Sequence, residues 1–387
     1  MKQRAKILTL SYAHFSNDIN GGALPALLPF FVLNYGFSYT ETSVIIFSYG
    51  IVSSIVQPLF GYLSDRWSAR YLIALGVFWT SVGVGLTGFL PWYWAICACA
   101  IFSGMGSSLF HPEGARLANT LGVTGHKAIT MSIFAIGGNA GFSLGPMAVG
   151  LLIPTFGMHS TIAFPVAAAV AALIIMRILG NAKDLVEPAP LPSGEKQDNG
   201  KRNDWKAFGI LAGVVLSRSA LMSGFHSFIA LYWMHEFQAT ASMGAAVLSA
   251  YGFMSVLSNL CGGMLSDRAG YVKILRITQG LLLPALLIFA WTDHSWVALL
   301  MAMVIAFSLY SSFSPTVILG QTYLASNVGF SAGVTLGLTQ TIGSLTLPVM
   351  GIIADNYDMH WAFLFLVIFV IIGIVSSMFL KKTEYDH

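Results

Sequence analysis

Gly61-Tyr62-Leu63-Ser64-Asp65-Arg66 recurs 202 residues later as Gly263-Met264-Leu265-Ser266-Asp267-Arg268. The same offset carries Tyr49-Gly50 onto Tyr251-Gly252, Ser53 onto Ser255, Gly141 onto Gly343 and Pro146 onto Pro348, and Pro112 meets Pro315 at an offset of 203. A period of half the chain means that one structural unit occurs twice, in parallel. Each copy of the short polar motif stands between long apolar runs, so the unit is built from membrane-length segments.

Composition agrees. Hydrophobic residues make up 56% of the 387 positions and Asp, Glu, Lys and Arg only 9%, against about 25% charged residues in soluble domains. So few charges cannot cover a water-facing surface, and the chain reads as an all-α integral membrane protein. A hydrocarbon core of ~30 Å takes about 20 apolar residues per helix. Hydropathy predicts spans over 7–33, 42–64, 70–90, 93–121, 127–153 and 159–180, then 206–234, 243–266, 271–291, 295–323, 328–354 and 359–380. Residues 1–180 form one six-helix half and 206–387 the other. Between them, 181–205 holds Pro188, Pro190 and Pro192 followed by mixed charges, a composition that reads as a solvated linker.

With the N-terminus in the cytoplasm, seventeen of the nineteen basic residues fall in inside segments or at the helix ends beside them, and none in an outside loop. This bias predicts that both termini are cytoplasmic. Arg116 and Arg218 remain, within spans. The basic start, Lys2 to Lys6, leads into a run too long and too polar for a cleaved signal, with His14, Asn17 and Asp18 inside it, and reads as the first membrane helix. A net charge of +3 leaves no footprint for nucleic acid. Cys97, Cys99 and Cys261 sit singly in apolar runs without metal-site or redox spacing, and neither a metal nor a cofactor is expected.

The repeated motif, with Arg70 after the first copy and Lys273 after the second, resembles the loop between helices 2 and 3 of the major facilitator superfamily. The resemblance implies twelve helices in two six-helix halves that work by alternating access, with Gly61, Asp65, Arg66 and Arg70, and Gly263, Asp267 and Arg268, in the conformational lock. Gly61 and Gly263 are expected to permit close helix approach, and the acids to hold a basic residue or a helix N-terminus at the cytoplasmic seam. Gly141-Phe142-Ser143-Leu144-Gly145-Pro146, with Gly150, resembles the helix-5 motif of drug:proton antiporters. His14 with Asn17-Asp18, Phe110-His111-Pro112-Glu113 with Arg116, and Gly137-Gly138-Asn139 are similar to the fosmidomycin-resistance branch. That branch implies a monomeric, multi-pass pump of the bacterial inner membrane that uses protons to export small drugs.

The polar residues inside the spans support transport on their own terms. An ionisable group at the bilayer centre costs about 2.5–3.5 kcal/mol on insertion scales, so it faces the bundle interior and has a task. His14 and Asp18 share one face of helix 1, and Glu113 and Arg116 one face of helix 4. Asp18 and Glu113, with His14 and His111, are the candidate proton carriers. Arg116, Arg218, Asn17, Asn139 and His226 are candidate substrate contacts. Gly21-Gly22, Pro25 and Pro29 are expected to break helix 1, and Pro112 helix 4, along the transport path.

Gly83-Val84-Gly85-Leu86-Thr87-Gly88 and Gly141–Gly145 mimic dinucleotide and hydrolase motifs but lack the strand that each requires, and the chain has no P-loop. Energy therefore comes from a gradient. One charge crossing ~150 mV releases about 3.5 kcal/mol, which holds a gradient of several hundredfold. Export of toxic compounds coupled to proton entry is the first reading. Proton-coupled uptake of a small organic anion is the alternative, ahead of an intramembrane hydrolase or a non-transporting sensor.

Overall fold

A backbone in hydrocarbon has no water to bond, and a helix satisfies its N–H and C=O groups within one segment. The computed structural model describes residues 2–66, 71–121, 127–179, 203–327, 331, 334–335 and 338–383, and these contain helices and turns but no strand. In chain order they form α1 (Lys2–Tyr35), α2 (Tyr39–Arg66), α3 (Tyr71–Leu86), α4 (Tyr93–Leu121), α5 (Lys127–Phe156) and α6 (Ala163–Leu179). The second set is α7 (Trp205–Glu236), α8 (Ala241–Ala269), α9 (Tyr271–Trp291), α10 (Ser295–Ser311), α11 (Phe313–Tyr323), α12 (Leu338–Asn356), α13 (Met359–Phe365) and α14 (Val367–Met378). The pairs α10/α11 and α13/α14 are each one span interrupted, at Ser312 and Leu366, so the order is that of a twelve-helix membrane fold. Among the described residues, nine helical stretches are long and apolar enough to cross a membrane. Trp92, Trp94, Trp291, Trp296 and Trp361 stay exposed near helix ends, the positions where amphipathic rings settle at a membrane interface.

Contacts divide the chain into two compact units. One holds Met1–Phe37, Val44–Ser193 and Ala241–Ser249; the other holds Ser38–Ser43, Gly194–Thr240 and Ala250–His387. Each has its own apolar core. Leu10, Ile73, Val77, Phe110, Leu117 and Ile175 meet in the first, and Phe208, Leu211, Leu275, Leu319 and Leu324 in the second. Most of the expected linker lies outside the described residues. Where it ends, Asp204 caps α7 by accepting from the Ala207 N–H at 3.0 Å and pairs with Lys381 at 2.8 Å. The Lys381 hydrogen bond holds the Asp204 carboxyl below the usual carboxylate range.

The closest helix approach in the first unit is made by glycines of α5. A Cβ on Gly141 would lie 2.6 Å from the Phe15 carbonyl oxygen of α1, and one on Gly145 or Gly137 would overlap the carbonyl oxygens of Ile19 or Ser11. Gly22 answers from α1, where a Cβ would strike the Phe142 carbonyl oxygen. Backbones this close leave room for hydrogen only, the packing that small residues allow between membrane helices. Gly343, the repeat of Gly141, does the same in the second unit, with its Cβ direction 2.6 Å from the Ser219 carbonyl oxygen of α7. The apparent dinucleotide motif is also packing: Gly83 lies against Cys99 and Ser103, and Gly85 against Pro165.

Two expectations fail. Gly21, Gly22, Pro25 and Pro29 do not break α1, nor Pro112 α4, since both helices run through. The glycines serve contact with Phe142, and a single missing proline N–H is bridged by the turns on either side. Nor do Gly61 and Gly263 mark tight approaches, because their nearest neighbours, the Pro112 Cβ and the Ser314 Oγ, are at an ordinary 3.8 Å.

These contacts make a paired prediction. Gly145→Ala should destabilise the protein by about 1–3 kcal/mol through overpacking, while Gly263→Ala should melt within a degree or two of the parent. Thermal unfolding of the two purified variants in detergent measures both.

Candidate functional site

Asp18 lies in the middle of α1 and is 6% exposed. His14, one turn earlier, places Nε2 3.1 Å from Asp18 Oδ2. His111 of α4 places Nε2 3.4 Å from Asp18 Oδ1. The other nitrogens are committed: His14 Nδ1 lies 2.8 Å from the Phe134 carbonyl oxygen and His111 Nδ1 2.8 Å from that of Ser107. A carbonyl oxygen only accepts, so each Nδ1 must carry the proton and donate. In a neutral imidazole the facing Nε2 is then a bare lone pair. An ionised Asp18 between two lone pairs would have no proton to share, so the cluster needs at least one more, on the carboxyl or on a ring, and has places for two.

The neighbours fix this arrangement. Asn17 is fully buried and donates to Asp18 Oδ1 at 2.9 Å, while its carbonyl accepts from Thr80 Oγ1 at 3.0 Å. The amide expected to meet substrate is thus engaged at both ends. His14 stacks on Phe134 with ring centroids 4.0 Å apart. Gly138 of α5 is the floor, since a Cβ there would come within 2.5 Å of His14 Nε2 and 2.8 Å of Asp18 Oδ2. Thr80, Ser107, Phe134 and Gly138 were not singled out as site residues from sequence. Only Gly138 left a signal, as the second glycine of the Gly137-Gly138-Asn139 run.

Glu113 and Arg116 pair as their spacing predicts. Arg116 donates Nε to Glu113 Oε2 at 3.0 Å and a terminal nitrogen to Oε1. Glu113 is fully buried and Arg116 about a quarter exposed, so the fork saturates one face of the carboxylate. Asn139 is half-buried, and its carbonyl accepts from Ser143. That bond uses the hydroxyl that a hydrolase reading would have needed. Gly150 packs against Ala245.

The second unit carries a cation. Arg218 on α7 is 4% exposed, donates Nε to the Leu309 carbonyl oxygen at 3.0 Å, and lies over the Phe313 ring at 4.9 Å. Among the described residues it has no carboxylate partner within ion-pair distance. Leu309 and Phe313 flank the interruption at Ser312, where the broken helix leaves carbonyls available. His226 is half-buried on the same helix, two turns on. Of the repeated motif, Asp267 accepts from the Tyr271 hydroxyl at 2.9 Å and Arg268 is exposed. Arg70 and the side chains of Asp65 and Arg66 lie outside the described residues.

Among the described residues, two groups of donor atoms are close enough to hold a metal ion: His14, Asp18 and His111, and, at the end of α7, His235, Glu236 and Asp358.

Membrane-length helices in two repeated sets, each set carrying a buried ionic group, define a polytopic membrane transporter. The chain belongs to the Major Facilitator Superfamily, whose family model matches residues 10–346 and again 214–387. It is similar to the fosmidomycin resistance protein of Escherichia coli (strain K12), 24% identical over 95% of this chain and 90% of that one. It is also similar to multidrug resistance protein 1 of Bacillus subtilis (strain 168), 27% identical over 90% and 89% of the two chains. Among solved structures, the nucleoside transporter NupG superposes with a TM-score of 0.78 at 15% identity, covering 97% of this chain and all of that one. A bacterial homologue of the lysosomal transporter Spinster gives 0.76 at 12% identity, covering 97% and 96%. These proteins are transporters, not enzymes.

Gly138→Ala tests the floor of the cluster. It should part His14 from Asp18 in a chain that still folds, seen as displaced His14 ring resonances in NMR of labelled histidines. Unchanged resonances would contradict the placement of Gly138.

Proposed function

We propose that this protein exports small toxic compounds in exchange for protons, with Asp18, His14 and His111 as the proton-binding group. The observation that carries the reading is the proton count: two Nε2 lone pairs and one carboxylate meet, with both Nδ1 atoms committed to carbonyls. Imidazole is the side chain whose ordinary pKa lies near neutrality, so such a group can load and release within the physiological range. Glu113 is the weaker candidate, because the Arg116 guanidinium already occupies both of its carboxylate oxygens. Arg116 and Glu113 act in this scheme as a fixed pair that keeps α4 in register.

In the proposed cycle a proton enters the cluster from outside, the carrier turns to the cytoplasmic side, and release of the proton there resets the site for export. Arg218, buried and without a carboxylate partner among the described residues, would attract an anionic substrate. The similarity to proteins named for fosmidomycin and multidrug resistance supports export of drugs, a phosphonate among them, across a bacterial inner membrane. The distribution of Lys and Arg supports both termini in the cytoplasm, with substrate leaving by the opposite face. The protein would act as a monomer. Arg218 also suits proton-coupled uptake of a small organic anion. Accumulation of such an anion under an inward proton gradient, without any change in drug sensitivity, would favour that reading.

Two experiments test the proposal. Overexpression should raise survival on fosmidomycin or another compound of a toxic panel, and deletion should lower it; unchanged sensitivity across the panel would overturn export. In everted vesicles, Asp18→Asn should reduce proton-driven drug uptake at least about tenfold, in the range expected for loss of a positioned proton-transfer group. Glu113→Gln should lower it mainly through loss of folded protein. Wild-type rates in Asp18→Asn would remove Asp18 as carrier.

A further inference from the structure

The second donor group lies at the end of α7 opposite the linker. His235 and Glu236 are the last two residues of α7, and Asp358 and His360 lie at the start of α13. His235 Nδ1 is 2.9 Å from Glu236 Oε1, His360 Nδ1 is 3.1 Å from the same oxygen, and His360 Nδ1 is 2.7 Å from Asp358 Oδ1. One donor atom from each of His235, Glu236 and Asp358 lies within 4.8 Å of the others. The scaffold is held on both sides. Gln238, with φ of 49°, turns the chain after α7 and donates its side chain to the His235 carbonyl oxygen at 2.7 Å. Asp358 caps α13 by accepting from the His360 N–H at 3.0 Å.

Two carboxylates are thus gathered around two imidazoles, and among the described residues no Lys or Arg pairs with them. The deficit extends along this unit: its connecting segments 234–240, 292–295 and 355–360 hold four acids and three of the nine histidines but no Lys or Arg. With neutral imidazoles, Glu236 and Asp358 leave a local charge of −2, which a divalent cation cancels. Zinc takes histidine nitrogen and carboxylate oxygen at about 2.0–2.2 Å in tetrahedral sites, so its ligand atoms lie roughly 3.3–3.5 Å apart. The three hydrogen-bonded separations, 2.9, 3.1 and 2.7 Å, are shorter than this, while the donors of His235, Glu236 and Asp358 all lie within 4.8 Å of one another, so side-chain movement outward at the bonded pairs, with His360 turning in as the fourth ligand, would admit the ion. The side chains are between 14% and 41% exposed, open enough for a hydrated metal to enter.

We propose that His235, Glu236, Asp358 and His360 form a Zn2+ site that clasps the end of α7 to the start of the last membrane span. The site lies in one unit and does not depend on the direction of transport.

The test uses full-length protein in detergent, freed of metal with chelator and titrated with Zn2+ by calorimetry, with Co2+ as the spectroscopic probe. One equivalent should bind, Co2+ should give the intense visible absorption of a four-coordinate site, and Zn2+ should raise the melting temperature. His235→Ala and His360→Ala should each weaken binding at least about tenfold, since even outer-shell changes at metal sites cost 10–100-fold. The isosteric Glu236→Gln should weaken it as well, in a chain that keeps its helical circular dichroism. A His14→Ala/His111→Ala protein should bind as the parent does. Absence of saturable binding, or binding undiminished in the His235→Ala/His360→Ala double variant, would overturn the site. So would binding lost in the His14→Ala/His111→Ala protein, which would place the ion at the other cluster.

Discussion

The first unit depends on α5 lying against α1 closer than any side chain permits. Gly137, Gly141 and Gly145 bring one backbone onto the carbonyls of the other, and Gly138, on the same stretch, leaves the pocket that His14 and Asp18 fill. The crossing and the ionic cluster are therefore one feature. Without glycine at 138 the imidazole could not reach the carboxylate, and without glycines at 141 and 145 the helices would stand apart and admit lipid or water between them. In hydrocarbon, where no hydrophobic force draws helices together, such contact is the main source of cohesion. The polar residues are then tolerated because each finds a partner within the bundle.

That tolerance takes two forms. Glu113 and Arg116 meet in a bidentate fork, a carboxylate held against a permanent cation. Asp18 is met instead by two imidazoles whose outer nitrogens are already bound to carbonyls. Its neutrality depends on how many protons are present and not on a permanent countercharge. A fixed ion pair holds a helix in register, whereas a cluster of carboxylate and imidazoles can change state without moving a side chain far.

The sequence made the architecture readable because membrane helices announce themselves by length and composition, and because a repeat of 202 residues survives in glycine, proline and a short polar motif. It also placed Asp18 beside His14, and Glu113 beside Arg116, since helical spacing alone decides which residues share a face. His111 was quoted for its motif, but its meeting with Asp18 is a tertiary contact between α1 and α4 that no spacing encodes. Recurrence in a motif does not make Gly61 or Gly263 a close contact; the tight contacts lie at Gly83, Gly137 and Gly145. Nor does a proline by itself break a helix. Pro25, Pro29 and Pro112 pass within continuous helices, and the interruption falls at Ser312, ahead of Pro315.

The duplication has not kept the two units alike in what they carry. Counting back or forward by 202, the position of Asp18 corresponds to Ala220 and that of Arg218 to Ser16. The packing glycine at 141 has its twin at 343, but no ionic residue of either core has one. The two units have thus diverged, with a carboxylate between two imidazoles buried in one and an arginine buried in the other. A tandem chimera of two first units would keep the helix crossings and carry the cluster of Asp18, His14 and His111 twice. It would have no counterpart of Arg218.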